Sequence, residues 1–193
     1  MRYPIRVDTS IRGRMDDVVK AFRAEAFLSA ISLALTIPDI CGKRLYPHEK
    51  KPGSRYVKWF DEYVASNYPG SCVPGKESSG PYCFSGSDCY QLRCVYLHEG
   101  SNAPHPDNID KGRTVYNVIQ FRVGGCNHIG YLDEFPSGKV FRQVDLDLLQ
   151  FIENLQDGVD AFLEDHPEMN DDDGSDSFLY CPISDFRDHD ETC

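Results

Sequence analysis

No stretch of this 193-residue chain approaches the roughly 20 consecutive apolar residues needed to cross a bilayer. The longest apolar run, Ala26 to Ile37, is interrupted by Ser29 and Ser32, so no membrane segment is expected. The N-terminal MRYPIRVDTSIRGRM is rich in Arg but has no apolar stretch behind it, unlike a secretory signal, and a cytoplasmic protein is the expectation. No phosphate-binding GxxxxGK(S/T) loop, GxGxxG after a strand, GxSxG elbow or HExxH helix occurs, and Gly124-Gly125 introduces no helix. CxxC is missing too. The spacings among Cys83, Cys89, Cys94 and His98 fit no zinc ribbon or finger. Reduced, buried thiols are therefore expected of the eight cysteines, with no metal and no cofactor. A broad basic face of the kind that grips a duplex is also missing.

What charge there is lies unevenly. From Asp157 onward there are 13 acidic residues against the single base Arg187, whereas residues 1–156 are near neutrality with 19 bases and 18 acids. The runs DDDGSD and DFRDHDETC read as a solvated end. Three parts are expected: an N-terminal arm over residues 1–14, a helical domain over 15–168 and an acidic tail over 169–193.

Asp16 and Asp17 would open a first helix, since acidic side chains favour the positive end of its dipole. Val19, Phe22, Ala26, Ala30, Leu33 and Ile37 recur at helical spacing, predicting one long central helix that Pro38 ends. Ser54 is the expected N-cap of a second helix, RYVKWFDEYVASNY, and Ser87 starts a third, DCYQLRCVYLHE, which Gly100 closes. TVYNVIQFRV has the β-branched and aromatic make-up of a strand, and the segment after it suggests a second strand completing a hairpin. Leu148, Leu149, Ile152, Leu155, Val159 and Phe162 mark a last helix over Asp145–Asp165. The expected fold is mainly α, an antiparallel four-helix bundle with a small β-hairpin inserted between the third and fourth helices.

Chemistry concentrates in one segment of the third helix, Leu92-Arg93-Cys94-Val95-Tyr96-Leu97-His98-Glu99-Gly100. Five positions apart, Arg93 and His98 diverge by about 140° around a helix, yet a long Arg can still bring its guanidinium to a His in the last turn. An imidazole at the negative helix end can move protons near neutral pH, and a guanidinium can hold a phosphate through paired N–H donors. Together they suit metal-free phosphodiester cleavage, with a ribose 2′-OH attacking its own phosphate. A second pair of the same kind, Arg122 and His128, falls on a strand and a Gly-Gly turn and reads as coincidence.

Arg93-x4-His98 on the third of four helices, followed by Glu-Gly within YQLRCVYLHEGS, resembles the R-x4-6-H motif of the HEPN superfamily. Many members are ribonucleases of toxin–antitoxin, abortive-infection (phage-defence) and CRISPR systems, in which two copies of the motif meet across a dimer interface. The resemblance implies a HEPN-like bundle acting as a homodimer on RNA, with an antitoxin as one kind of protein partner. It assigns Arg93 to the scissile phosphate and His98 to proton transfer. Tyr96 beside the motif could stack on a base, and Glu25 on the first helix could add a polar group to the same cleft. The position after Arg93 is Cys94, where active members often carry Asn, Asp or another polar residue. With the near-neutral body, that departure favours a non-catalytic binding or regulatory module whose acidic tail engages a basic partner.

Overall fold

The computed structural model describes residues 8–69, 82–125, 128–134 and 140–170, so the first half of the N-terminal arm, the segment around Gly75 and nearly all of the acidic tail lie outside the described residues. What it describes is mainly helical. The helices are α1 (Ile11–Arg23), α2 (Phe27–Ala34), α3 (Ile37–Leu45), α4 (Pro52–Tyr63), α5 (Gly86–Glu99), α6 (Pro106–Asp110) and α7 (Leu148–Asp165). A small sheet of β1 (Val118–Arg122), β2 (His128–Glu134) and β3 (Val140–Asp147) sits between α6 and α7 in the chain.

The single long helix expected over residues 16–37 is instead three. Ser10 caps α1 by accepting the Gly13 N–H at 3.0 Å, so the helix starts at Ile11, ahead of the aspartates. Its end is a Schellman closure, with Ala26 N donating to Ala21 O and Glu25 N to Phe22 O, both at 2.9 Å. The closure requires a left-handed residue, and Glu25 occupies that position at φ 58°. Pro38 does not terminate the following helical stretch. It lies in the first turn of α3, where a missing N–H costs nothing, and the chain only loosens at Leu35 and Thr36 before winding again.

The core is built around α4, whose Tyr56, Trp59 and Phe60 are wholly buried and which packs against α3, α5 and α7. Two glycines permit the closest approaches. A Cβ on Gly42 would lie 2.6 Å from the Arg55 carbonyl oxygen of α4, and one on Gly158 of α7 would lie 2.6 Å from Val64 Cγ2. Phe162 of α7 meets Trp59 and Tyr63 edge-on, with ring centroids 5.9 and 5.4 Å apart. The helix starts are displaced from expectation by a few residues: α4 begins at Pro52 behind Lys51, α5 at Gly86 behind Ser85, and α7 at Leu148 behind Asp147.

The β element is in the expected place but is not the expected hairpin of neighbouring strands. The sheet has the order β1-β3-β2, with β2 antiparallel to β3 and β1 parallel to it, in the register Val118↔Gln143 through Arg122↔Asp147. A parallel pair needs a long connection, and the passage through β2 provides it. Asp145 of the central strand is only 2% exposed, and it is satisfied there by Gln120 Nε2 at 2.7 Å, Gln143 Nε2 at 2.6 Å and an ion pair with Arg122. Arg122, of the second sequence match, is thus committed to holding β1 against β3.

Candidate functional site

A reciprocal capping box sets the start of α5. Ser85 Oγ accepts the Asp88 N–H at 3.3 Å, and Asp88 Oδ2 accepts the Ser85 N–H at 3.0 Å. Thr114 donates to the other carboxylate oxygen at 2.6 Å. Asp88 is buried, and burial raises its pKa against the lowering effect of the Ser85 and Thr114 hydrogen bonds. At the other end Gly100 closes the helix in the left-handed conformation at φ 62°. Between them Cys89, Leu92 and Val95 face the core, which leaves Arg93 and Tyr96 half-buried and His98 exposed.

Arg93 and His98 come together. Arg93 Nη1 lies 3.0 Å from His98 Nε2, while its Nε donates to Asp39 Oδ2 of α3 at 2.8 Å. The guanidinium therefore spans from α3 to the last turn of α5. Partial burial works against its charge, but the attraction and hydrogen bond of Asp39 outweigh this, so its pKa is raised. An Arg donates only, so His98 Nε2 accepts in this pair and the ring proton sits on Nδ1. Asp39 is the member that sequence reasoning missed. It lies 54 residues from Arg93, and no spacing rule connects positions on α3 and α5.

The other two expected contributors fare differently. Tyr96 is half-buried, with its hydroxyl 3.3 Å from the Leu28 carbonyl oxygen and beside Ser32 of α2, and burial raises its pKa. Beside it Leu28 of α2 is 72% exposed. Glu25 is exposed at the α1–α2 corner, and among the described residues its side chain makes no hydrogen bond or ion pair with Arg93 or His98.

Cys41 and Cys89 are buried free thiols, and burial pushes the pKa of both up. Cys89 is also 3.2 Å from the Tyr56 hydroxyl in the core. Among the described residues no three His, Cys, Asp or Glu side chains gather to hold a metal ion, and no helix is long and apolar enough to cross a membrane. Comparison of the chain with protein-family models, with curated proteins and with solved structures found no match to any of them.

Proposed function

We propose that Arg93 and His98 form the reacting half-site of a metal-independent endoribonuclease of HEPN type, completed by a second copy of the chain. The observation that carries this reading is the 3.0 Å contact between Arg93 Nη1 and His98 Nε2, on an exposed helix end, with Asp39 aiming the guanidinium. Asp39 occupies Nε, and the remaining guanidinium N–H groups are free to turn to a phosphate oxygen. When Arg93 moves from the imidazole to the phosphate, it releases the Nε2 lone pair for proton abstraction.

In the reaction the ribose 2′-oxygen bonds to phosphorus as His98 Nε2 takes the hydroxyl proton. The phosphorus–O5′ bond breaks, and the leaving oxygen receives a proton from the protonated His98 of the second copy. The products are a 2′,3′-cyclic phosphate and a 5′-hydroxyl. Arg93 stabilises the charge that grows on the phosphate oxygens. Leu28, exposed beside Tyr96, would give the second copy an apolar contact close to the site.

The test is cleavage of single-stranded RNA by the full chain in the presence of a chelator, with the ends of the products identified. Arg93→Ala and His98→Ala are each expected to lower the rate by about 100-fold or more. Purified variants that cleave as fast as the parent would refute the assignment.

The Asp39–Arg93 ion pair also suits a second reading, a non-catalytic HEPN-like module in which Arg93 ties α3 to α5 and the acidic tail engages a basic partner. Under that reading the chelated RNA assay shows no cleavage even by the parent protein, and a basic polypeptide is retained by the full chain but not by one ending at Asn170.

A further inference from the structure

We propose that the cleft between the first turns of α4 and α5 is a binding site for a phosphomonoester. The cleft measures about 420 Å³, within the range of small-ligand sites, and Lys51, Lys58, Arg113, Ser54, Tyr90 and Gln91 are among its walls.

Three cations converge there, and two of them, Lys51 and Arg113, have no ion-pair partner among the described residues. They stand at the positive end of α4, a 12-residue helix whose N-cap, Lys51, makes no side-chain capping bond. Like charges gathered at a positive helix end repel one another unless an anion joins them. No described residue accepts from the N–H groups of Gly53 and Ser54, so that end of the helix still has donors to offer. α5 differs in this respect, because Asp61 takes its Gly86 N–H at 2.6 Å and the capping box takes Ser85 and Asp88.

Gln91 is the independent sign of a ligand. It is only 6% exposed and lines the cleft, yet its side-chain amide has no hydrogen-bond partner among the described residues. Its amide is not among the buried side-chain atoms left without a partner, so it meets the solvent of the cleft, where a phosphate oxygen would accept from its N–H. Gly53 lets the Tyr90 ring pack directly against the start of α4, since a Cβ there would lie 2.6 Å from Tyr90 Cε1. One carboxylate shares the cleft mouth. Glu49 Oε2 is 3.3 Å from both Lys58 Nζ and Ser54 Oγ, so an arriving dianion competes with it for these donors.

This site is separate from the cleavage chemistry. Ser87 and His98 are about 16 Å apart along the α5 axis at 1.5 Å per residue, and loss of RNA cleavage leaves the cleft untouched.

The experiment is calorimetric titration of the full chain with inorganic phosphate, with a nucleoside 5′-monophosphate, and with short RNAs carrying a 5′-phosphate or a 5′-hydroxyl. The double variant Lys51→Ala, Arg113→Ala is expected to weaken phosphate binding at least tenfold, and Glu49→Gln to strengthen it several-fold. Gln91→Leu is the decisive variant, because it should weaken binding about tenfold while leaving the melting temperature of the ligand-free protein close to that of the parent. A merely structural glutamine would not separate those two effects. Binding of the mononucleotide alone assigns a small ligand, and preference for the 5′-phosphorylated RNA assigns an RNA end. No heat with any probe, equal binding of both RNAs, or affinities unchanged in all three variants would overturn the proposal.

Discussion

Asp88 shows how one side chain can serve a helix cap and a tertiary contact at once, bonding Ser85 in the capping box and Thr114 across the fold. Burial lifts its folded pKa above the ordinary aspartate value. The folded protein therefore holds this proton more tightly than the unfolded chain. Its contribution to stability is fully present below the unfolded pKa and is lost as pH rises through the folded one. Asp88→Asn lacks this titration, and its amide cannot accept on both sides. Urea melts should show its stability deficit widening as pH falls from about 7 to about 4. A deficit that narrows would show that the carboxyl is not held as described. Arg93 is likewise a shared side chain, linked to His98 on its own helix and to Asp39 on another.

At the scale of elements, the α1–α2 corner and the α3–α4 contact are the most exacting junctions. Glu25 adopts the left-handed conformation at φ 58°, a position that glycine fills without steric cost. Glu25→Gly is expected to raise stability by about 1 kcal/mol in urea melts. It should leave RNA cleavage unchanged, because among the described residues the Glu25 side chain makes no hydrogen bond or ion pair with Arg93 or His98. Gly42→Ala should do the opposite. Its methyl would meet the Arg55 carbonyl oxygen at 2.6 Å, and a helix backbone cannot yield as a flexible side chain does. The clash outweighs the better helix propensity of alanine, for a net loss of about 1–3 kcal/mol and a lower melting temperature.

At the scale of the whole molecule, the core formed by α3, α4, α5 and α7 encloses two thiols that report on global opening. Cys41 and Cys89 are fully buried, and their raised pKa values leave little thiolate to react. Alkylation of these two in the native protein should follow complete unfolding, accelerating in parallel as denaturant is added, with mass spectrometry locating the label. Fast labelling of either one without denaturant would show that the α3 or α5 packing opens locally.

The sequence by itself determined the mainly helical class, the amphipathic pattern of α4 and α7, the strand character of β1 and the end of α5 at Gly100. These follow from side-chain periodicity and from local backbone preference, which act within a few residues. It also singled out Arg93 and His98, because an arginine can bridge five positions along one helix. Only the tertiary structure divided the predicted long helix at Glu25. That break uses a glutamate where a glycine would have announced it, and packing of the Phe22 and Phe27 rings, 5.6 Å apart, accompanies the turn. Only the tertiary structure could place β1 parallel beside β3, supply Asp39 to Arg93, and gather Lys51, Gln91 and Arg113 around one cleft. Each of these joins residues more than 20 positions apart. Strand pairing, ion pairing and cleft formation at that separation depend on how the helices pack, and no local pattern in the chain encodes it.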